Sequence, residues 1–218
     1  MMKYVYRILT AVAAAAIFPV FFFAPLLRLA YSVILTGESE LTLSLKEMLF
    51  SGEEQLPLGK LFSLDAVQPL KPAVIALCVL LALALAVALA ILIFSLCSDR
   101  YAVTAGMAGA GSLLLLCALI PMNAVSTMLT DGTVSIGALL AQLQEAGVAN
   151  NGILSLLQSA PSIADLAVQI KSVGFGAAFY LALFLMILLC VWGVAHVVIG
   201  IGEEKKPRRK PIHQKKKR

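Results

Sequence analysis

Two histidines, four cysteines and one arginine embedded in apolar sequence are the groups from which any chemistry would have to be built. His196 follows Trp192 by one helical turn near the end of the last apolar run, and His213 lies in a basic tail, so the two do not have metal-ligand spacing. A hydrolytic triad needs a histidine beside an acid and a nucleophile, yet His196 falls on the expected inner side, away from the acids of the two outer connecting regions. No glycine loop followed by Lys and Ser or Thr is present to cradle a phosphate. The expectation is a protein without catalytic, cofactor-binding or metal-ligating residues, and not an enzyme. Trp192 reads as an interfacial aromatic anchor with His196 beside it.

Cys78, Cys97, Cys117 and Cys190 all fall inside apolar runs, so no disulfide can staple the connecting regions. That separates the chain from four-span families whose outer loops are held by cystine. Arg28 sits in apolar sequence with no Asp or Glu inside a neighbouring run to pair with. Its ordinary reading is a long side chain reaching the outer headgroups, and its functional reading is a gate or counter-ion.

The elements that must position these groups are set by solvent. With 61% hydrophobic and 13% charged residues, the 218-residue chain lies far from the globular average of about 25% charged. The organising stretch is a hairpin: apolar runs Ala73 to Cys97 and Ala102 to Ile120, joined only by Ser98, Asp99, Arg100 and Tyr101. Each is long enough for the roughly 20 residues that cross a hydrocarbon core of about 30 Å. So short a joint forces the two helices to be antiparallel neighbours.

The fold class expected is all-α, a polytopic membrane protein with four transmembrane helices and short amphipathic helices in two extracytoplasmic loops. Residues 1–36 form the cytoplasmic start and first span, uncleaved because its apolar core outruns that of a secretory signal. Loop 1 is 37–71, the second span 72–97, the inner turn 98–101, the third span 102–121, loop 2 122–172, the fourth span 173–202 and the tail 203–218. In loop 1, Ser44 with Glu47 three positions on resembles a capping box that opens a short helix closed by Gly52. Excess length in the first run implies tilt, a kink at Pro19 or Pro25, or an exit near Arg28.

Two sets of residues read as contact surfaces. Ala102, Gly106 and Ala110, with Ala105 and Gly109 beside them, lay a smooth stripe along the third span, where a neighbouring helix could approach closely. An internal helix is the expected neighbour and a second protomer the other candidate. In loop 2, Ile136, Leu139, Leu140 and Leu143 have the spacing of an amphipathic helix, and Ile163, Leu166, Ile170 and Val173 continue such a face into the last span. Helices this short need something to cover their apolar sides, which makes the positions from Ile136 to Ile170 in these two sets the expected partner-binding residues.

Charge distribution sets the orientation. Nine of the 17 Lys and Arg residues are in the tail (Lys205, Lys206, Arg208, Arg209, Lys210, Lys215, Lys216, Lys217 and Arg218), and residues 1–204 carry a net −4. Lys3, Arg7, Arg100 and the tail all fall on one side if the chain crosses four times, which the positive-inside rule makes the cytoplasmic face of the cell membrane. The tail would attract anionic inner-leaflet lipids at about 1 kcal/mol per near-surface cation. It lacks stacking aromatics, so nucleic acid is not the expected partner. The function expected is an accessory or scaffold subunit that binds a membrane or envelope protein through its outer loops. The alternative is a small oligomeric channel or a membrane subunit of a transporter.

Overall fold

The computed structural model describes residues 2–33, 37–46, 65–97, 101–132 and 168–204. Along the chain these form α1 (Met2–Phe23), β1 (Pro25–Val33), β2 (Gly37–Ser44), a 3-10 turn (Asp65–Leu70), α2 (Lys71–Cys97), α3 (Tyr101–Thr130), β3 (Val168–Phe175) and α4 (Ala177–Glu204). All four helices are long and apolar enough to cross a membrane. Helices adjacent in the chain pack against each other and α1 also packs on α4, giving a closed up-and-down ring of four.

The core is a ladder of small and large residues. Ala14, Ala84, Ala88, Ala108, Ala118, Ala178 and Ala182 let the backbones approach, and Ile17, Phe21, Ile91, Leu115, Phe179 and Met186 fill the space between. Phe175 stacks face to face on Phe179 with centroids 3.7 Å apart, tying the strand before α4 into the helical core.

Among the described residues the structure is mostly helical with the four expected long helices, but the ring also carries a three-stranded antiparallel sheet in the order β2-β1-β3, which an all-α fold would lack. The first apolar run does not continue as helix to residue 35. Pro25 lacks an amide hydrogen and biases the residue before it toward extended backbone, so α1 stops at Phe23 and the chain leaves as β1. From there the pattern has period two, with Leu27, Leu29 and Tyr31 alternating with Arg28, Ala30 and Ser32. The register sets Leu29 opposite Leu41 on one side and Val173 on the other.

The helix expected to lead through Ile170 and Val173 into the last span is likewise β3, and α4 begins only at Ala177. The reason is a β-bulge. Ala30 pairs with Ser172 and Tyr31 with Ile170, which leaves Lys171 as an extra residue on β3. One inserted residue converts a two-residue alternation into the three-residue spacing from Ile170 to Val173, which imitates a helical face.

Pro121 does not end the third helix either. It costs one ladder hydrogen bond, but α3 runs on to Thr130, where Asp131 N–H donates to the Thr127 carbonyl and Gly132 adopts a left-handed φ of 70°. A helical cap at that point needs the conformation glycine adopts without strain. Leu45 and Lys46 are helical directly after β2. The rest of the loop 1 helix, residues Ile136, Leu139, Leu140, Leu143, Ile163 and Leu166, and the basic tail from Lys205 to Arg218 lie outside the described residues.

Helix lengths explain where the sheet sits. Tyr6 and Thr104 are level with each other, joined by a hydrogen bond. From that level α1 rises about 26 Å to Phe23, whereas α3 rises about 39 Å to Thr130, at 1.5 Å per residue. The start of α2 and the end of α3 therefore project together, and Leu70 of the 3-10 turn before α2 packs against Val125. The sheet occupies the room above the shorter α1 and the start of α4, where the Val173 N–H donates to Ser126 Oγ at 3.3 Å.

Candidate functional site

Polar side chains gather at the two ends of the ring. At the end where α1 begins, Tyr6 is 2% exposed and its hydroxyl shares a 3.0 Å hydrogen bond with Thr104 Oγ1. Thr104 also donates to the Tyr101 carbonyl one turn back, so it ties α1 to the first turn of α3. Rings enclose the site: Tyr6 meets Tyr101 edge-on at 4.4 Å and His196 at 4.3 Å, and Trp192 lies 4.8 Å from His196. His196 Nδ1 is 3.2 Å from the Trp192 carbonyl, which fixes that nitrogen as the donor. Arg7 reaches across to α2, donating from Nε to the Ser95 carbonyl at 3.0 Å and from its terminal nitrogen to the Leu96 carbonyl. A cation there meets the negative end of the α2 dipole and carbonyls that the helix cannot satisfy itself. One turn beyond Tyr6, the buried Thr10 hydroxyl has no partner among the described residues.

At the opposite end the groups are charged and exposed. Arg28 on β1 pairs with Glu40 on β2 through two hydrogen bonds, one of them 3.0 Å from Nε to Oε2. Lys171, the bulge residue of β3, pairs with Glu38 on β2. Arg28 thus has an acidic partner after all, supplied by a strand rather than a helix. The hydrogen bond and charge of Glu40 raise the guanidinium pKa further, and the hydrogen bond from Arg28 holds the Glu40 carboxyl below its usual range. The sequence signal was present: Glu38 and Glu40 alternate with uncharged residues just after Gly37, as Arg28 does within an alternating run, a pattern that a hairpin would bring together.

Of the stripe expected to receive an internal helix, Ala102, Gly106 and Ala110 are exposed, and nothing stands within 4 Å of the position a Gly106 Cβ would take. The face turned inward is one step round the helix, through Thr104, Ala105, Ala108 and Gly111. Gly109 is half-buried, with Cys190 Sγ 3.5 Å from its Cβ position. A close approach of α3 to α4 is made at a glycine that spacing alone did not single out: a Cβ on Gly193 would stand 2.7 Å from Ala105 Cβ. Ile170 is half-buried within β3.

Among the described residues no group of three or more His, Cys, Asp and Glu side chains could hold a metal ion. Chemically, the α1-start end spends its polar atoms on contacts between helices, and the sheet end displays opposite charges paired between strands. No family model, no curated protein and no solved structure matches this chain.

Proposed function

We propose that this chain is a non-enzymatic integral protein of the cell membrane that serves as an accessory or scaffold subunit, with both termini cytoplasmic and the sheet outside. The observation that carries the reading is the composition of the sheet. Its strands come from both connecting regions, β1 and β2 from the first and β3 from the second, so the described parts of the two regions form one paired head rather than independent arms. A head held by backbone pairing and cross-strand ion pairs is a surface suited to a protein partner, since its charges are fixed in place and its outer strands carry backbone groups able to pair.

Orientation is supported by the positive-inside rule. Arg7, the α2–α3 joint that carries Arg100 in the sequence, and the end of α4 that leads into the basic tail all belong to one end of the ring. Against a transport role stands the interior, where side chains from Ala14 to Phe179 form one apolar cluster. Arg28, the one cation that could have lined a path, belongs to the head.

Purification in mild detergent tests the proposal. A single recurrent partner is expected to co-purify and to be lost when the head charges are inverted by Arg28→Glu with Lys171→Glu, or when Leu139→Asp and Leu143→Asp are introduced. Solute or ion flux into liposomes containing only this protein, abolished by Arg28→Ala, would overturn it.

A further inference from the structure

Between α3, β3 and the start of α4 lies an open crevice of about 330 Å³ whose lining changes character along its length. Leu119, Met122 and Phe175 give it an apolar floor, and Asn123, Ser126 and Tyr180 a polar rim. We propose that this crevice binds one uncharged glycerolipid with a hydroxyl-bearing headgroup, such as a glycosyl diacylglycerol, from the outer leaflet. The proposal rests on the membrane orientation given above.

Depth is the first argument. Counting up α3 from Thr104 at 1.5 Å per residue, a hydrocarbon core of about 30 Å ends close to Asn123. Leu119 therefore lies at the level of acyl chains, while Asn123 and Ser126 lie where ester carbonyls and headgroups begin. A ligand that is apolar below and polar above matches this gradient, and the solvent at that depth is itself such a ligand.

Charge is the second argument, and it selects among lipids. No Lys or Arg lines the crevice among the described residues, and the nearby Lys171 is engaged by Glu38. An anionic phosphate would find no counter-charge among these residues, so nothing in the described lining favours it over a neutral headgroup. The groups present are neutral donors and acceptors. Ser126 Oγ accepts from Val173 N–H and so keeps its own hydrogen for a ligand oxygen. The Asn123 amide and the exposed Tyr180 hydroxyl can each both donate and accept. That set suits sugar hydroxyls and ester carbonyls.

The test is native mass spectrometry of the full chain released from vesicles with equal parts phosphatidylglycerol, phosphatidylethanolamine and glucosyl diacylglycerol. One retained glucosyl diacylglycerol is expected. Tyr180→Phe, which removes a single hydroxyl, should lower its retention by about five-fold, and Asn123→Leu by at least as much. Gly106→Leu, on an exposed position outside the crevice, should leave it unchanged. Retention in proportion to vesicle content, a preference for phosphatidylglycerol, or indifference to both rim variants would overturn the site. Failure of the wild-type protein to float with the vesicles would instead overturn the membrane reading on which the proposal stands.

Discussion

The two ends of the ring solve opposite problems with polar side chains. At the α1-start end, the hydroxyls of Tyr6 and Thr104 are buried between helices, and Arg7 is spent on main-chain carbonyls of α2. At the sheet end, full charges stand exposed and pair with one another across strands. A buried ion pair must recover a desolvation cost of several kcal/mol per ion, whereas a buried neutral hydrogen bond needs only good geometry. The difference shows the chain placing charge where water screens it, and using close packing where water is absent.

Glycine marks the tightest point at each end, and the largest effects are expected there. A Cβ on Gly176 would stand 2.3 Å from the Pro25 carbonyl oxygen, a backbone atom of the β1 residue that pairs with Ser44 of β2. Gly176 N–H also donates to the Leu26 carbonyl at 2.8 Å. Gly176→Ala should therefore cost about 3 kcal/mol, the upper range for overpacking. Hydrogen exchange should show the loss first in β1 and β3. At the other end, Gly193→Ala would press on Ala105 and Tyr6, whose nearest atoms are 2.7 and 3.2 Å from the new carbon. The facing atoms are side chain as well as backbone and the helices can separate slightly, so about 2 kcal/mol is expected, read as a lowered thermal midpoint in detergent with the sheet amides still protected. If both variants melted the whole molecule together, the ends would not be separable units.

Removing one hydroxyl at a time sharpens the contrast within the α1-start end. Tyr6→Phe leaves the Thr104 hydroxyl with only its bond to the Tyr101 carbonyl and should cost about 1 kcal/mol. Thr10→Val replaces a buried hydroxyl that has no partner among the described residues by a methyl of the same shape, so stability should hold to within about 0.5 kcal/mol or rise. Equal losses from the two variants, measured by denaturant titration in the same micelle, would mean that the Tyr6–Thr104 bond carries no special weight.

How far the sequence could be read follows from what each segment's periodicity reports. The hairpin of α2 and α3 was legible because apolar runs of that length allow few alternatives, and the joint from Ser98 to Tyr101 leaves no room for another arrangement. The sheet was not. β1 is apolar on enough positions to merge with the helix before it, and the bulge at Lys171 gives β3 a false helical spacing. The side of α3 that turns inward was also hidden, since small residues occur on two adjacent faces and only the position of Gly193 on α4 selects Ala105 over Gly106. Pairings between segments far apart in the chain, such as Arg28 with Glu40 or Tyr6 with Thr104, depend on register and helix level, which a single sequence does not state.

The smallest effect belongs to the exposed charges, and pH is the way to see it. Because Arg28 holds the Glu40 carboxyl below its ordinary value near 4.5, the folded head releases this proton more readily than the unfolded chain does. The pair's contribution is therefore complete above that ordinary value and is lost as pH falls through the lowered one, with Arg28 charged throughout. Both side chains are more than half exposed, so solvent screens them and the effect on global stability is slight. It should instead appear locally, as faster amide exchange in β1 and β2 as pH falls below the ordinary carboxyl value, once intrinsic acid dependence is removed. Arg28→Gln should move the Glu40 midpoint up toward its ordinary value and remove the transition, and raised salt should weaken it. An unchanged Glu40 midpoint in Arg28→Gln would show that the two groups do not pair in solution, and the head would then be held by backbone register alone.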